Sequence, residues 1–170
     1  NTYGSLYAIN CENMKILWFN NLNQSLDLNP SNLFNSNQIV TNKDKIFLST
    51  NKNTYILDLW SGGVIYKKNY SSELKPIVLK DHLFSFTKNN LLIAMNIDNG
   101  KIIYSHDINQ KIADFIEVKK KKVQLKNFLI VNNKIMLFLK NSYLIYFNIN
   151  GTVNDVLKLP SKINTNPIII

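Results

Sequence analysis

One short phrase, written four times, constrains this chain more than anything else in it. The clearest copy is an apolar run, Leu91-Leu92-Ile93-Ala94-Met95, then Asn96-Ile97-Asp98-Asn99-Gly100, then a second β-rich run, Ile102-Ile103-Tyr104. Glycine and asparagine tolerate the positive φ that tight turns between twisted strands demand, so this segment predicts an antiparallel hairpin. The first copy is Leu6 to Asn10, a polar turn, then Lys15-Ile16-Leu17-Trp18. Another is Tyr55 to Asp58, a turn with Gly62-Gly63, then Val64-Ile65-Tyr66; the last is Leu144 to Asn148, a turn with Asn150-Gly151, then Thr152-Val153. The Asx residues closing the first strands are Asn10, Asp58, Asn96 and Asn148, about 48, 38 and 52 residues apart.

That spacing scatters around the roughly 40–50 residues of one four-stranded propeller blade. The expected fold is therefore all-β: a partial β-propeller of four-stranded antiparallel blades. It holds half a blade at about 3–20, full blades at about 38–68, 76–107 and 127–158, and a leading strand of another at 166–170. Residues 21–37 are polar, proline-interrupted and aperiodic, which predicts a loop. Within the insertion 108–126, Ile112, Phe115 and Ile116 recur at helical spacing behind Asn109 as the expected cap, and a four-lysine run, 119–122, follows. Both ends look cut. The chain opens without methionine two residues ahead of a strand and stops inside Pro167-Ile168-Ile169-Ile170. The expectation is a piece, under half, of a seven- or eight-bladed ring, because an incomplete arc exposes apolar faces between blades.

Composition narrows the function classes. At 45% hydrophobic the chain has ample material for a core, and no run of eighteen apolar residues is present to span a membrane. The net charge is +9, yet all 20 basic residues are lysines. Base reading and phosphate clamping favour the forked guanidinium, so specific nucleic-acid binding is not expected. Cys11 is the one cysteine, which excludes an internal disulfide framework and a cysteine zinc site. It does not fit a lipid-anchor cysteine either, because a short strand ending in Asn10 precedes it rather than a long apolar export segment.

Two copies carry more than a turn. At Ala8-x-Asn10-x-x-x-x-Lys15-x-x-Trp18 and Ala94-x-Asn96-x-x-x-Gly100-Lys101-x-x-Tyr104 the chain resembles the PQQ-type propeller repeat, A-x-D-x-x-x-G-K-x-x-W. The copy at Asp58 keeps Gly62 but has Ile56 and Tyr66 at the Ala and Trp positions. The copy at Asn148 is one residue short before Gly151, has Tyr146 at the Ala position and lacks the aromatic anchor. The resemblance implies that the aromatic docks against an adjoining blade, that the Ala packs under such an aromatic, and that Asp and Gly shape the turn. A buried Trp18 changed to Ala would then cost roughly 3–5 kcal/mol.

The family divides by function. Its quinoprotein dehydrogenases hold pyrroloquinoline quinone and calcium on the propeller axis, with an adjacent-cysteine disulfide against the quinone and an Asp as base. This chain has no adjacent cysteines and no acidic cluster with calcium-loop spacing. No catalytic, cofactor-binding or metal residue is therefore assigned, and no cofactor is expected. The resemblance points instead to the cofactor-free branch of protein-binding scaffolds, the BamB-type lipoproteins of the outer-membrane β-barrel assembly machinery. It implies barrel-assembly proteins as partners, a periplasmic place at the outer membrane reached through an N-terminal anchor outside this chain, and a monomeric ring. The alternative is a fragment of a quinone-dependent dehydrogenase whose active site lies in other blades. A third reading is a luminal sensor or membrane-complex propeller of the eukaryotic secretory pathway.

A few side chains invite sharper readings. His82 and His106 lie at strand ends of one blade, where surface histidines are the default over a metal or catalytic pair. Asp107, Asp114 and Glu117 lack any fixed geometry for acid–base work. The lysine run could meet anionic headgroups at about 1 kcal/mol each, but is expected to be a solvated loop. Trp60, in a Ser-Gly-Gly turn, is a candidate interface anchor if exposed and interblade packing if not.

Overall fold

The structure, a computed structural model, describes residues 4–22, 39–161 and 165. The expected leading strand at 166–170 and most of the loop after the first hairpin lie outside the described residues. The chain divides into two compact units, Asn1–Ser72 and Glu73–Ile170.

The first unit opens with the hairpin β1 (Ser5–Ile9) and β2 (Ile16–Asn21), a two-stranded sheet. A four-stranded meander follows: β3 (Val40–Asn42), β4 (Lys45–Ser49), β5 (Thr54–Asp58) and β6 (Val64–Lys68), neighbours in sequence order. Side-chain alternation sorts the hairpin's two faces. Leu6 and Trp18 turn toward a core built on Leu22, Ile46, Leu48, Tyr55 and Leu57, while Tyr7, Ile9, Leu17 and Phe19 are exposed.

The second unit repeats the meander twice. Its first sheet is β7 (Ile77–Leu79), β8 (His82–Phe86), β9 (Leu91–Asn96) and β10 (Ile102–Asp107). Its second is β11 (Leu125–Val131), β12 (Lys134–Leu139), β13 (Tyr143–Asn148) and β14 (Val153–Lys158). Between them lies α1 (Ile108–Phe115). The two sheets and the helix share one core, in which Phe86 meets the Phe128 ring edge-on at 4.7 Å. In each four-stranded sheet the middle strands are buried almost throughout and the fourth is half exposed. That gradient explains why β8 and β9 read as continuous apolar runs while β10 alternates.

The connections between first and second strands are equally regular. Lys43 and Lys80 take left-handed φ of 52° and 55°, and Asn132 and Asn133 take 49° and 58°. Both central residues of the Asn132-Asn133 turn are left-handed, as a two-residue hairpin of the primed kind needs.

Two expectations are corrected. β11 starts at Leu125, ahead of the expected position, and pairs Leu125 with Leu139 across a bulge. The helix cap is Asp107 rather than Asn109: its carboxylate accepts the Gln110 amide at 3.1 Å. Because β10 runs to Asp107, the helix begins at once, and Asn109 is freed to bond outward.

Candidate functional site

The feature that recurs is a turn and a grip upon it. In the first three hairpins the Asx residue accepts two backbone amides on Oδ1. Asn10 binds those of Glu12 (2.8 Å) and Asn13 (3.3 Å), Asp58 those of Trp60 (3.1 Å) and Ser61 (2.7 Å), and Asn96 those of Asp98 and Asn99 (both 3.0 Å). Only an acceptor oxygen is required, which is why Asn serves in two copies where the repeat signature has Asp. Behind each Asx turn the fourth residue returns its amide to the Asx carbonyl: Met14 at 2.8 Å, Gly62 at 2.9 Å and Gly100 at 3.0 Å. That position is left-handed in all three, with φ of 57°, 69° and 66°. The fourth copy closes one residue earlier, from Gly151 at φ 81° to Asn148, whose amide group reaches Thr152 Oγ1.

The carboxylate of Asp58 does more than an amide would. The Ser61 hydroxyl donates to it at 2.7 Å, and this bond, with the backbone amides, holds its pKa below the usual carboxylate range.

The grip comes from alternate residues of a preceding outer strand. Trp18 Nε1 donates to the Leu59 carbonyl at 2.9 Å, and two residues on, Asn20 Nδ2 donates to the Gly62 carbonyl at 2.6 Å. A Cβ at Gly62 would lie 2.3 Å from Trp18 Cε3, so the indole sits directly on the glycine. In the second unit the Tyr104 hydroxyl donates to the Ile149 carbonyl at 2.7 Å, and His106 Nε2 lies 3.3 Å from the Asn150 carbonyl. The two rings stack at 4.8 Å, and a Cβ at Gly151 would meet His106 Cδ2 at 2.3 Å and Tyr104 Cε2 at 2.8 Å. Leu59 and Ile149 both directly follow the Asx residue, so the two joints are equivalent. Burial pushes the Tyr104 phenol up to about 12.

Ala8 and Ala94 stand directly opposite Trp18 and Tyr104 within their own hairpins. Tyr66 pairs with Ile56, and Lys68 Nζ lies 5.6 Å over its ring. Trp18 is half-buried rather than fully buried, so the cost of removing it is lower than full burial implies. The sequence patterns did not reveal Asn20 and His106 as the second halves of the joints. A polar residue two positions after the aromatic is the signal that finds them.

The remaining candidates are dispersed. His82 Nδ1 is 2.8 Å from Asp81 Oδ1, whereas His106 belongs to the Tyr104 joint, so the two histidines serve separate contacts. Asp107 caps α1, Asp114 accepts from Gln110 at 2.7 Å, and Glu117 holds a left-handed φ of 53° after the helix. Among the described residues no three His, Cys, Asp or Glu side chains cluster as metal ligands, and no helix is long and apolar enough to cross a membrane. Cys11 is exposed in the first turn. Trp60 stands 77% exposed, on the turn that Trp18 grips from the other side.

A protein of this build, repeated meanders of four antiparallel strands with an aromatic joint between the sheets of each unit, is a partial β-propeller. Solved structures match it at that level. BamB from Moraxella catarrhalis, a β-propeller, matches with a TM-score of 0.74 over 98% of this chain and 48% of its own, at 12% identity. The computationally designed Ika8 protein matches at TM-score 0.66 and 10% identity over 95% of this chain and 45% of its own. A protein of unknown function from Bacteroides caccae matches at 0.56 and 13% identity, over 94% of this chain and 56% of its own. The chain thus spans about half the length of the structures it resembles. No family model matches the sequence, and no curated protein matches it by sequence.

Proposed function

We propose that this chain is part of a non-catalytic β-propeller that scaffolds protein partners, in the assembly of outer-membrane β-barrel proteins on the periplasmic side. The likeness to BamB favours that setting. The observation that carries the scaffold reading is Trp60. Trp60 is 77% exposed, yet its backbone is tied to Asp58, and Gly62, two residues on, is packed under Trp18. A large aromatic held out on a rigid stem loses little freedom when it is buried by a partner, which is how interface anchors gain affinity.

A photo-crosslinker placed at position 60, with the full-length protein in envelope membranes, tests this. The expected product is a single adduct with a barrel-assembly component, suppressed by an excess of unlabelled wild-type protein and suppressed less by the Trp60→Ala protein. Recovery of no such component would refute the outer-membrane assignment. Equal competition by the Trp60→Ala protein would remove Trp60 from the interface.

A further inference from the structure

The second unit contains a cleft that the scaffold reading does not use. It has a volume of about 330 Å³ and lies between α1, the lysine-rich segment after it, and sheet β11–β14. Ile112, Ile116 and Val118 form one wall, and Tyr143, Ile145 and Val156 form the other. Ile145 is fully buried, and Tyr143 and Val156 pack against the shared core. The cleft therefore opens on the face of the sheet already turned toward the core of its own unit. A further blade stacked on the opposite face would leave it open.

The lysine run is an exposed loop, as expected, but one tied down at both ends. Lys120 Nζ bonds Asp107 Oδ2 at 2.6 Å, and the Val118 amide bonds the Ala113 carbonyl. At the far end Asn90, 4% exposed, donates through Nδ2 to the Val123 carbonyl (2.9 Å) and to Asn109 Oδ1 (3.1 Å), and Asn109 Oδ1 accepts the Val123 amide at 2.9 Å. Pinned at both ends, the segment directs Lys119 and Lys121 to the cleft, while Lys120 is spent on the helix cap. Lys119 and Lys121 are the charged residues that line it; no acidic residue does.

A small, mostly apolar concavity with a few polar groups at its mouth is the form of a small-molecule site. Apart from Tyr143, Asn109, Asn141 and the two lysines the walls are aliphatic, which suits a flexible chain better than a flat ring. At about 30 Å³ per molecule, the share of a liquid water, the volume accommodates roughly ten non-hydrogen atoms. Two lysines at one end call for a single anionic head, because ammonium groups act as point charges rather than as a fork. We propose that this cleft binds a free linear aliphatic carboxylate of about eight to ten carbons, its chain between α1 and β13–β14 and its head at Lys119 and Lys121.

Calorimetric titration of the full-length protein with sodium hexanoate, octanoate and decanoate tests the proposal, with methyl shifts of Ile112, Ile116 and Val156 followed by NMR. One molecule should bind per chain, about fourfold more tightly for each added methylene. The charge-reversed Lys119→Glu/Lys121→Glu protein, altered only at exposed side chains, should lose tenfold or more of the decanoate affinity. Decyltrimethylammonium should fail to saturate the wild type. The proposal is overturned by unchanged affinity in the charge-reversed protein, or by equal binding of the cationic amphiphile. Shifts confined to the methyls of Ile9 and Leu17 on the exposed hairpin face would overturn it too. Tighter binding of acetyl-Glu-Leu-Glu-amide than of decanoate at the same methyls would assign the cleft to an acidic protein segment instead.

Discussion

Gly62→Ala puts one methyl group where the Trp18 indole lies. The added Cβ would stand 2.3, 2.6 and 2.7 Å from three ring carbons, so the indole must move. Moving it breaks the 2.9 Å bond to the Leu59 carbonyl, a loss of about 0.5–1.5 kcal/mol. Re-exposing a half-buried aromatic forfeits about half of the roughly 1.5–3 kcal/mol that full burial of a large apolar side chain contributes. Alanine at φ +69° adds about 1–2 kcal/mol of backbone strain. The expected loss is about 3–4 kcal/mol, large against the usual effect of a turn substitution. Gly63→Ala is the internal control. Its φ is not in the left-handed region and its new Cβ meets only Ser61 Oγ, at 3.3 Å, so the cost should stay below about 1 kcal/mol. Urea unfolding followed by circular dichroism measures both. Trp18 fluorescence in a Trp60→Phe background should show the ring becoming solvated in the Gly62→Ala protein. In a Trp18→Ala background Gly62→Ala should cost only the backbone part, about 1–2 kcal/mol. Equal destabilisation by the two glycine substitutions, or an undiminished Gly62→Ala effect without the indole, would refute the joint.

Met14 occupies, at φ 57°, the left-handed position that glycine holds at Gly62 and Gly100, and its side chain is 74% exposed. Met14→Gly should therefore stabilise the first hairpin by about 1 kcal/mol, seen as a higher urea midpoint; no change would mean the strain is absent. Tyr104 keeps its proton to about pH 12 in the folded chain, whereas an unfolded phenol releases it near about pH 10. Its contribution is thus complete below the lower value and fades as pH rises through the upper one, so the stability gap between wild type and Tyr104→Phe should narrow across that window. The Asp107 carboxyl is held below its ordinary pKa chiefly by the hydrogen bond from the Lys120 ammonium. Its contribution is present above the unfolded carboxyl value, about 3.9, and is lost as pH falls through the lower folded one. Carboxyl NMR should show Lys120→Ala raising the Asp107 titration, and Asp107→Ala should cost about 1 kcal/mol as a lost cap.

Much of this fold was legible because its governing signals are local. Alternating β-rich runs with an Asx–Gly turn predict a hairpin from about fifteen residues, and repetition of that hairpin predicts the stacking of sheets. The strand bounds followed closely in the middle strands, where apolar runs are continuous. They slipped at β11, where Leu125 is recruited by Leu139 across a bulge that no local pattern announces. The helix cap was misplaced for a related reason. Asn109 is a good cap by residue type, but its side chain is claimed by Asn90 and Val123, each more than ten residues away in sequence. Local grammar ranks capping residues; tertiary bonds decide which of them is available.

The candidate site divides along the same line. The aromatic anchors could be picked out because the repeat marks them, yet what they hold is a backbone carbonyl 41 or 45 residues away, a group every residue possesses. Sequence cannot single out such an acceptor. What it can do is restrict the residue beside it, since only glycine leaves room for the ring and accepts the left-handed turn. Gly62 and Gly151 each meet both demands at once. At Met14 the left-handed turn carries a side chain that is 74% exposed, tolerated there at the expense of strain.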